Sequence, residues 1–141
     1  MQITITVPTK ADIVNGGFEV KVARNQRSWK KSQLGNYADK KGVYVHHSAG
    51  AILYVGKTTE GVGGTFGERL RREFKENESS RNSHLYKLLS SQRHTIRVYL
   101  LDLQDIDMMV APGPIHLSPE RKALLMEQAL IGIHQPKGNK K

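Results

Sequence analysis

A carboxylate stands among apolar residues at Glu127: Ala123, Leu124, Leu130 and Ile131 lie three and four positions away, on one side of a helix of period 3.6. An ionised carboxylate moved onto such a face is unfavourable unless something compensates its charge. It either pairs with a cation, sits at the edge of the apolar stripe, or holds a metal ion at the floor of a cleft. Upstream, two short segments each set a tyrosine against a glycine, as Gly42-Val43-Tyr44 and Tyr54-Val55-Gly56 with nine residues between. Tyrosine is ordinary on a half-buried pleated surface, so the paired spacing is what singles these two out. Between them and Glu127 comes a basic stretch, Gly67-Glu68-Arg69-Leu70-Arg71-Arg72-Glu73-Phe74.

The elements that carry these residues follow from local patterning. Residues 118–133 read as a helix, with Ser118 as N-cap and Pro119 in the first turn. Residues 41–47 and 51–57 read as a hairpin turning at Ser48-Ala49-Gly50. Phe66, Leu70 and Phe74 make one apolar stripe on a helix over 65–76, and Arg69 borders it. Alternation at 2–7 and 18–22 predicts an extra N-terminal hairpin around Asn15-Gly16-Gly17, capping or extending the sheet. Residues 26–39 read as a loop or short helix, 84–89 as a short helix and 96–103 as a third strand. The acids of 102–107 resemble a metal cluster, but alternation at a strand end and a turn accounts for them equally well. Pro112-Gly113-Pro114 is a rigid linker into the Glu127 helix. The fold class is α/β, one compact domain with a basic N-terminal extension, 1–40, packed on a main body, 41–141.

The glycine-tyrosine pairs, written GVY and YVG, resemble the two-part signature of the GIY-YIG nuclease family, and later residues fall in the family's order. Arg69 matches its functional arginine, Glu127 its single metal-binding glutamate, and Asn139 the asparagine that closes the motif. Lys57, directly after Gly56, matches a lysine of the repair and some restriction branches. At the position four past Arg69, where many relatives have His or Tyr, this chain has Glu73, and 59–65 inserts a glycine-rich loop. The resemblance implies a small three-stranded antiparallel or mixed sheet flanked by helices, and a divalent-metal-dependent endonuclease acting on DNA. Glu127 would hold one Mg²⁺ or Mn²⁺ with waters and phosphate oxygens, Arg69 would grip a non-bridging oxygen, and Tyr44 would be the general base. A free phenol titrates near about 10, so that role requires cations nearby, for which Lys57 and Arg69 are at hand. Tyr54 would orient water or phosphate, and Asn139 would tie the C-terminal tail to the sheet.

Net charge is +9, which suits a polyanionic partner. Its distribution is more telling: Lys21, Arg24, Arg27, Lys30 and Lys31 crowd around Trp29, Arg71 and Arg72 flank Arg69, and Lys137, Lys140 and Lys141 close the chain. Lys30, Lys31, Arg71 and Arg72 are the expected backbone contacts to nucleic acid. Gly56-Lys57-Thr58 is not the end of a Walker loop, because Ala51 stands where that motif needs glycine and the intervening residues read as a strand. The histidines have no HExxH spacing, and His46 and His47 point to opposite faces, as surface or cleft residues with His46 or His47 near a phosphate at the hairpin rim. With no cysteine and no signal-like apolar core, a cytoplasmic or nucleoid-associated protein without membrane contact is expected. A homodimer would serve double-strand cleavage. The alternatives are a non-cleaving nucleic-acid-binding module and a nuclease for RNA or single strands.

Overall fold

The computed structural model describes residues 2–19, 31–58, 64–74 and 96–139, with the side chains of 31–33 and 71–74 set aside. Trp29, Lys30, the expected 84–89 helix, Lys140, Lys141 and the side chains of Lys31, Arg71 and Arg72 therefore lie outside the described residues.

A four-stranded antiparallel sheet carries the fold. Its strands are β2 (Phe18–Glu19), β3 (Gly42–Ser48), β4 (Ala51–Thr58) and β5 (Arg97–Asp102), in the order β2-β5-β3-β4. β3 and β4 form the expected hairpin, and its turn is two residues long because Ala49 and Gly50 adopt φ of 50° and 80°, the left-handed pair such a tight connection needs. Gly42 pairs with Asp102 of β5, and a Cβ there would overlap the Leu101 carbonyl, so only glycine lets the two strands approach at this point. A second sheet has two strands, β1 (Thr4–Ile5) and β6 (Val110–Ala111).

Apolar residues then sort onto two faces. On one face Tyr44, Val98 and Leu100 pack with Phe66 and Leu70 of α2 (Phe66–Phe74) and with Leu34 of a 3-10 segment, Lys31–Tyr37. On the other, Val43, Val45, Val55 and Leu101 pack with Ile13 of α1 (Lys10–Val14), Ile106 of α3 (Leu103–Met109) and Ala123, Met126 and Leu130 of α4 (Pro119–His134). The sheet thus lies between two helical layers, the two-faced burial expected of an α/β domain.

Three expectations are corrected here. The N-terminal hairpin does not form: α1, capped by a reciprocal Thr9–Asp12 box, separates the two segments, β1 pairs with β6 and β2 pairs with β5, making the central sheet four-stranded. Strand pairing is non-local, and the alternation at residues 2–7 and 18–22 does not say with what each strand pairs. The acids of 102–107 belong to a helix start instead of a turn. Asp102 caps α3, its Oδ1 accepting from the Asp105 N–H at 2.7 Å while Asp105 Oδ2 accepts from the Asp102 N–H at 3.0 Å. Asp107 pairs with Lys122 of α4 at 2.6 Å. The third correction concerns Glu127 and the histidines, described with the site.

Candidate active site

Tyr44 and Gly56 face each other across the β3–β4 ladder, and the Tyr44 ring occupies the space a side chain at 56 would need. A Cβ on Gly56 would overlap the Tyr44 Cζ and hydroxyl. Glycine at 56 is therefore what allows the ring to lie flat across the strand. Tyr44 is fully buried. Its hydroxyl meets Arg69, whose Nε donates to it at 3.3 Å.

Arg69 reaches that point because α2 is docked at its start. Phe66 is fully buried and edge-on to Tyr44 at 6.5 Å, and the Phe66 and Gly67 N–H groups, which have no partner inside the helix, donate to the carbonyls of Lys40 and Ala38, each at 2.8 Å. One turn of helix brings Arg69 over the tyrosine, its side chain half-exposed. Tyr54, also half-exposed, lies 6.1 Å from Tyr44 ring to ring. His46, two residues beyond Tyr44 and opposite Tyr54, stacks on Tyr54 at 6.1 Å and meets Tyr44 edge-on at 5.4 Å.

His46 and His47 are nevertheless not at a rim. Both are buried, and a bulge in the β3–β4 pairing falls between them. His46 is a packing partner of the two tyrosines, and the strand period alone implies that His46 shares the Tyr44 face. His47 Nε2 donates to the Gly16 carbonyl at 3.1 Å. Burial pushes its ring below the ordinary histidine value, with Arg97 and His46 adding to the effect and the Gly16 hydrogen bond opposing it.

Asn139 closes the edge of β4. Its Oδ1 accepts from the Val55 N–H and its Nδ2 donates to the Val55 carbonyl, both at 2.8 Å, so one side chain supplies the donor and acceptor a further strand would have supplied. This ties the tail to the residue between Tyr54 and Gly56.

Glu127 stands apart from this cluster. The buried stripe of α4 is Ala123, Met126 and Leu130, while Leu124 is 45% exposed. Glu127 is one residue on from Met126, about 100° round the helix, and so lies on the flank of the stripe, half-exposed. The expectation of a carboxylate on the buried face is corrected accordingly. Counting positions at three and four residues made Leu124 look like core, but the packed stripe is centred on Met126. The Gln128 side chain donates to Glu127 Oε1 at 3.4 Å. Since α4 packs against the Val43 and Val55 face, Glu127 belongs to the opposite layer from Tyr44 and Arg69. Lys57 alternates with Gly56 and takes the α4 side of β4, half-exposed.

The structure therefore gathers Tyr44, Tyr54, Gly56, Arg69 and His46 on one face, ties Asn139 to their strand, and puts Glu127 and Lys57 on the other, with the edge strand β4 between the two groups. Compared with family models, with curated proteins and with solved structures, the chain matches none. Among the described residues no three of His, Asp and Glu converge as a metal cluster. A half-exposed lone carboxylate fits the other common arrangement, in which Mg²⁺ keeps most of its waters and takes one protein oxygen. No described helix is long and apolar enough to cross a membrane.

Sequence reasoning noted Asp102 only among the acids of 102–107 and missed its pairing with Lys40. The Lys40 ammonium lies 3.1 Å from Asp102 Oδ2, and the carbonyl of Lys40 receives α2. Burial raises the Asp102 carboxyl, but the Asp105 N–H and the Lys40 ammonium more than offset this and hold it below the ordinary aspartate value. No motif marks this pair, because its members meet only through the register of β3 on β5.

Proposed function

We propose that the chain is a divalent-metal-dependent endonuclease hydrolysing phosphodiester bonds in DNA, of restriction, defence or structure-selective type. The observation that carries this reading is the Arg69 Nε to Tyr44 hydroxyl contact of 3.3 Å, over Gly56 and beside Tyr54. It sets a guanidinium, suited to a phosphate oxygen, against a phenol able to take a proton.

In this mechanism Arg69 keeps its Nε on the Tyr44 oxygen, where its charge favours phenolate now that Lys57 lies on the other face, and offers its terminal N–H groups to a non-bridging phosphate oxygen, where they meet the charge that grows in the transition state. As phenolate, Tyr44 takes a proton from the attacking water, whose oxygen bonds to phosphorus while the bond to the leaving 3′ oxygen breaks. Tyr54, held through Val55 by Asn139, orients the water or the phosphate. Glu127 would hold the Mg²⁺ or Mn²⁺, which would supply positive charge to the phosphodiester. A nucleic-acid strand crossing β4 would touch Arg69 on one side and Glu127 and Lys57 on the other. Lys30, Lys31, Arg71 and Arg72 would add backbone contacts, and a homodimer would cut both strands.

The separation of Glu127 from the Tyr44 face favours a second reading, a module that binds nucleic acid without cutting it. Incubation with Mg²⁺ and labelled duplex, single-stranded and branched DNA, and with RNA, decides between them. Metal-dependent product that EDTA abolishes supports the nuclease. Retardation without product supports the binding module, and product from RNA or single strands alone would move the substrate class.

A further inference from the structure

Both partners of the Arg69–Tyr44 contact are registered on one ion pair. The carbonyls of Lys40 and Ala38 receive the first two amides of α2, which fixes where the next turn of the helix presents Arg69. Tyr44 lies two residues from Gly42, and Gly42 is paired in the sheet with Asp102. Lys40 and Asp102 meet at 3.1 Å, so the segment that holds the arginine is fastened to the strand that registers the tyrosine.

Further bonds stiffen the same junction. The Lys41 carbonyl accepts from the Leu103 N–H at 2.9 Å, at the first residue of α3. The Lys40 ammonium also lies 5.2 Å from the centre of the Tyr37 ring, whose hydroxyl donates to Asp105 Oδ2 at 3.4 Å. Beside the pair an open cavity of about 320 Å³ is lined by Asp39, Lys40, Lys41, Asp102, Leu103 and Gln104. The ammonium is therefore held by Asp102 and the Tyr37 ring, with open space on its remaining side.

We propose that Lys40 and Asp102 are positioning residues for the Arg69–Tyr44 pair, acting through the Lys40 carbonyl on α2 and through the Gly42–Asp102 register on β3. The kinetic consequence rests on the nuclease reading above; the geometric one does not. The pair is exposed at Lys40 and buried at Asp102, and Asp102 keeps the Asp105 N–H when Lys40 is replaced, so a loss of rate at little-changed stability in Lys40→Gln distinguishes positioning from a structural role.

The two oxygens of Asp102 allow a clean test. Asp102→Asn keeps an oxygen for the α3 cap and removes the charge facing Lys40; Lys40→Gln removes the same pair from the other side, and Lys40→Arg restores it. The control is Lys122→Gln, which breaks the Lys122–Asp107 pair between α3 and α4. Each variant is assayed for Mg²⁺-dependent cleavage of a labelled duplex, for its unfolding midpoint, and by carbon NMR of protein labelled at tyrosine Cζ, with Tyr44 assigned by Tyr44→Phe. Lys40→Gln and Asp102→Asn should lower kcat about tenfold with KM within about twofold, the scale on which small misplacements act. Both should shift the Tyr44 resonance, while Lys40→Arg and Lys122→Gln should leave both readouts near wild type. If Asp102→Asn does not fold, Lys40→Gln carries the test. An unmoved Tyr44 resonance in Lys40→Gln overturns the proposal whether or not the protein cuts DNA. A wild type that cuts nothing overturns the nuclease reading alone, and the Tyr44 resonance still decides positioning.

Discussion

Arg69 Nε donates to the Tyr44 hydroxyl at 3.3 Å, across a strand position where Gly56 leaves room for the tyrosine ring. Three residues from three elements make that contact, and each has its own reason to be there: Tyr44 by the β3 pleat, Gly56 by the lack of a side chain, Arg69 by the docking of α2.

The closeness of Gly56 and Tyr44 sets the first prediction. Gly56→Ala should lower stability by about 1 to 3 kcal/mol through overpacking against a buried ring. Tyr44→Leu in the same background should recover part of that loss, because the clash disappears with the ring. Urea midpoints of the single and double variants measure the coupling, and additive losses would place the strain elsewhere.

Arg69→Ala should reduce cleavage by about 10²-fold or more, the scale of removing a donor aimed at transition-state charge. Arg71→Ala and Arg72→Ala should act mainly on affinity, with KM rising and its salt dependence flattening. Equal falls in kcat for all three would make the arginines a general phosphate patch.

For Glu127 the structure changes the size of the expected effect. A carboxylate on the buried face would oppose folding strongly, whereas one on the flank of the stripe is already solvated. Glu127→Gln should therefore abolish metal-dependent cleavage while shifting stability in EDTA by less than about 0.5 kcal/mol. A fall of several kcal/mol in thermal or denaturant unfolding would show that Glu127 has a buried cationic partner, and its assignment as metal ligand would be withdrawn.

Acid should destabilise the fold in two stages. The folded state keeps His47 neutral below its ordinary value of 6.5, so the unfolded chain binds the proton first; stability is complete above that pH and falls as pH drops from it towards the lowered folded value. Asp102, held below 3.8, stays charged in the folded state while the unfolded carboxyl protonates, and its contribution is lost at lower pH as the folded value is crossed. His47→Gln should remove the upper stage of a stability-versus-pH curve and leave the lower. A curve flat from pH 7 to 5 in the wild type would contradict this account.

Asn139→Ala removes two hydrogen bonds from the edge of β4 and leaves the Val55 N–H and carbonyl exposed along a strand edge. The loss should be about 2 kcal/mol, near 1 for each bond. Amide exchange at Val55 should quicken with it, and unchanged protection would mean that other contacts hold the tail.

The hairpin, the start of α4 at Ser118 and the burial of Phe66 and Leu70 on α2 were legible in the sequence because each rests on local signals: a left-handed two-residue turn, a hydroxyl cap before proline, and apolar residues four apart. The grouping of Tyr44 with His46 follows from a period of two, but the burial of His46 does not, and Tyr54 joins them only because the bulge between His46 and His47 shifts the register so that His46 pairs with Tyr54 instead of Leu53. Other features depended on tertiary structure. The pairing of β1 with β6 and β2 with β5 joins segments far apart in the chain, and no local pattern encodes a partner. The exposure of Glu127 was set by which part of α4 meets Val43 and Val55, a choice made by packing when several apolar residues compete for one face. The Lys40–Asp102 junction arises from strand register alone. Residue types and spacing determined which side chains are candidates for chemistry; the order of strands and the docking of two helices decided that Arg69 reaches Tyr44 while Glu127 lies across the edge of the sheet, because those placements are fixed by non-local burial.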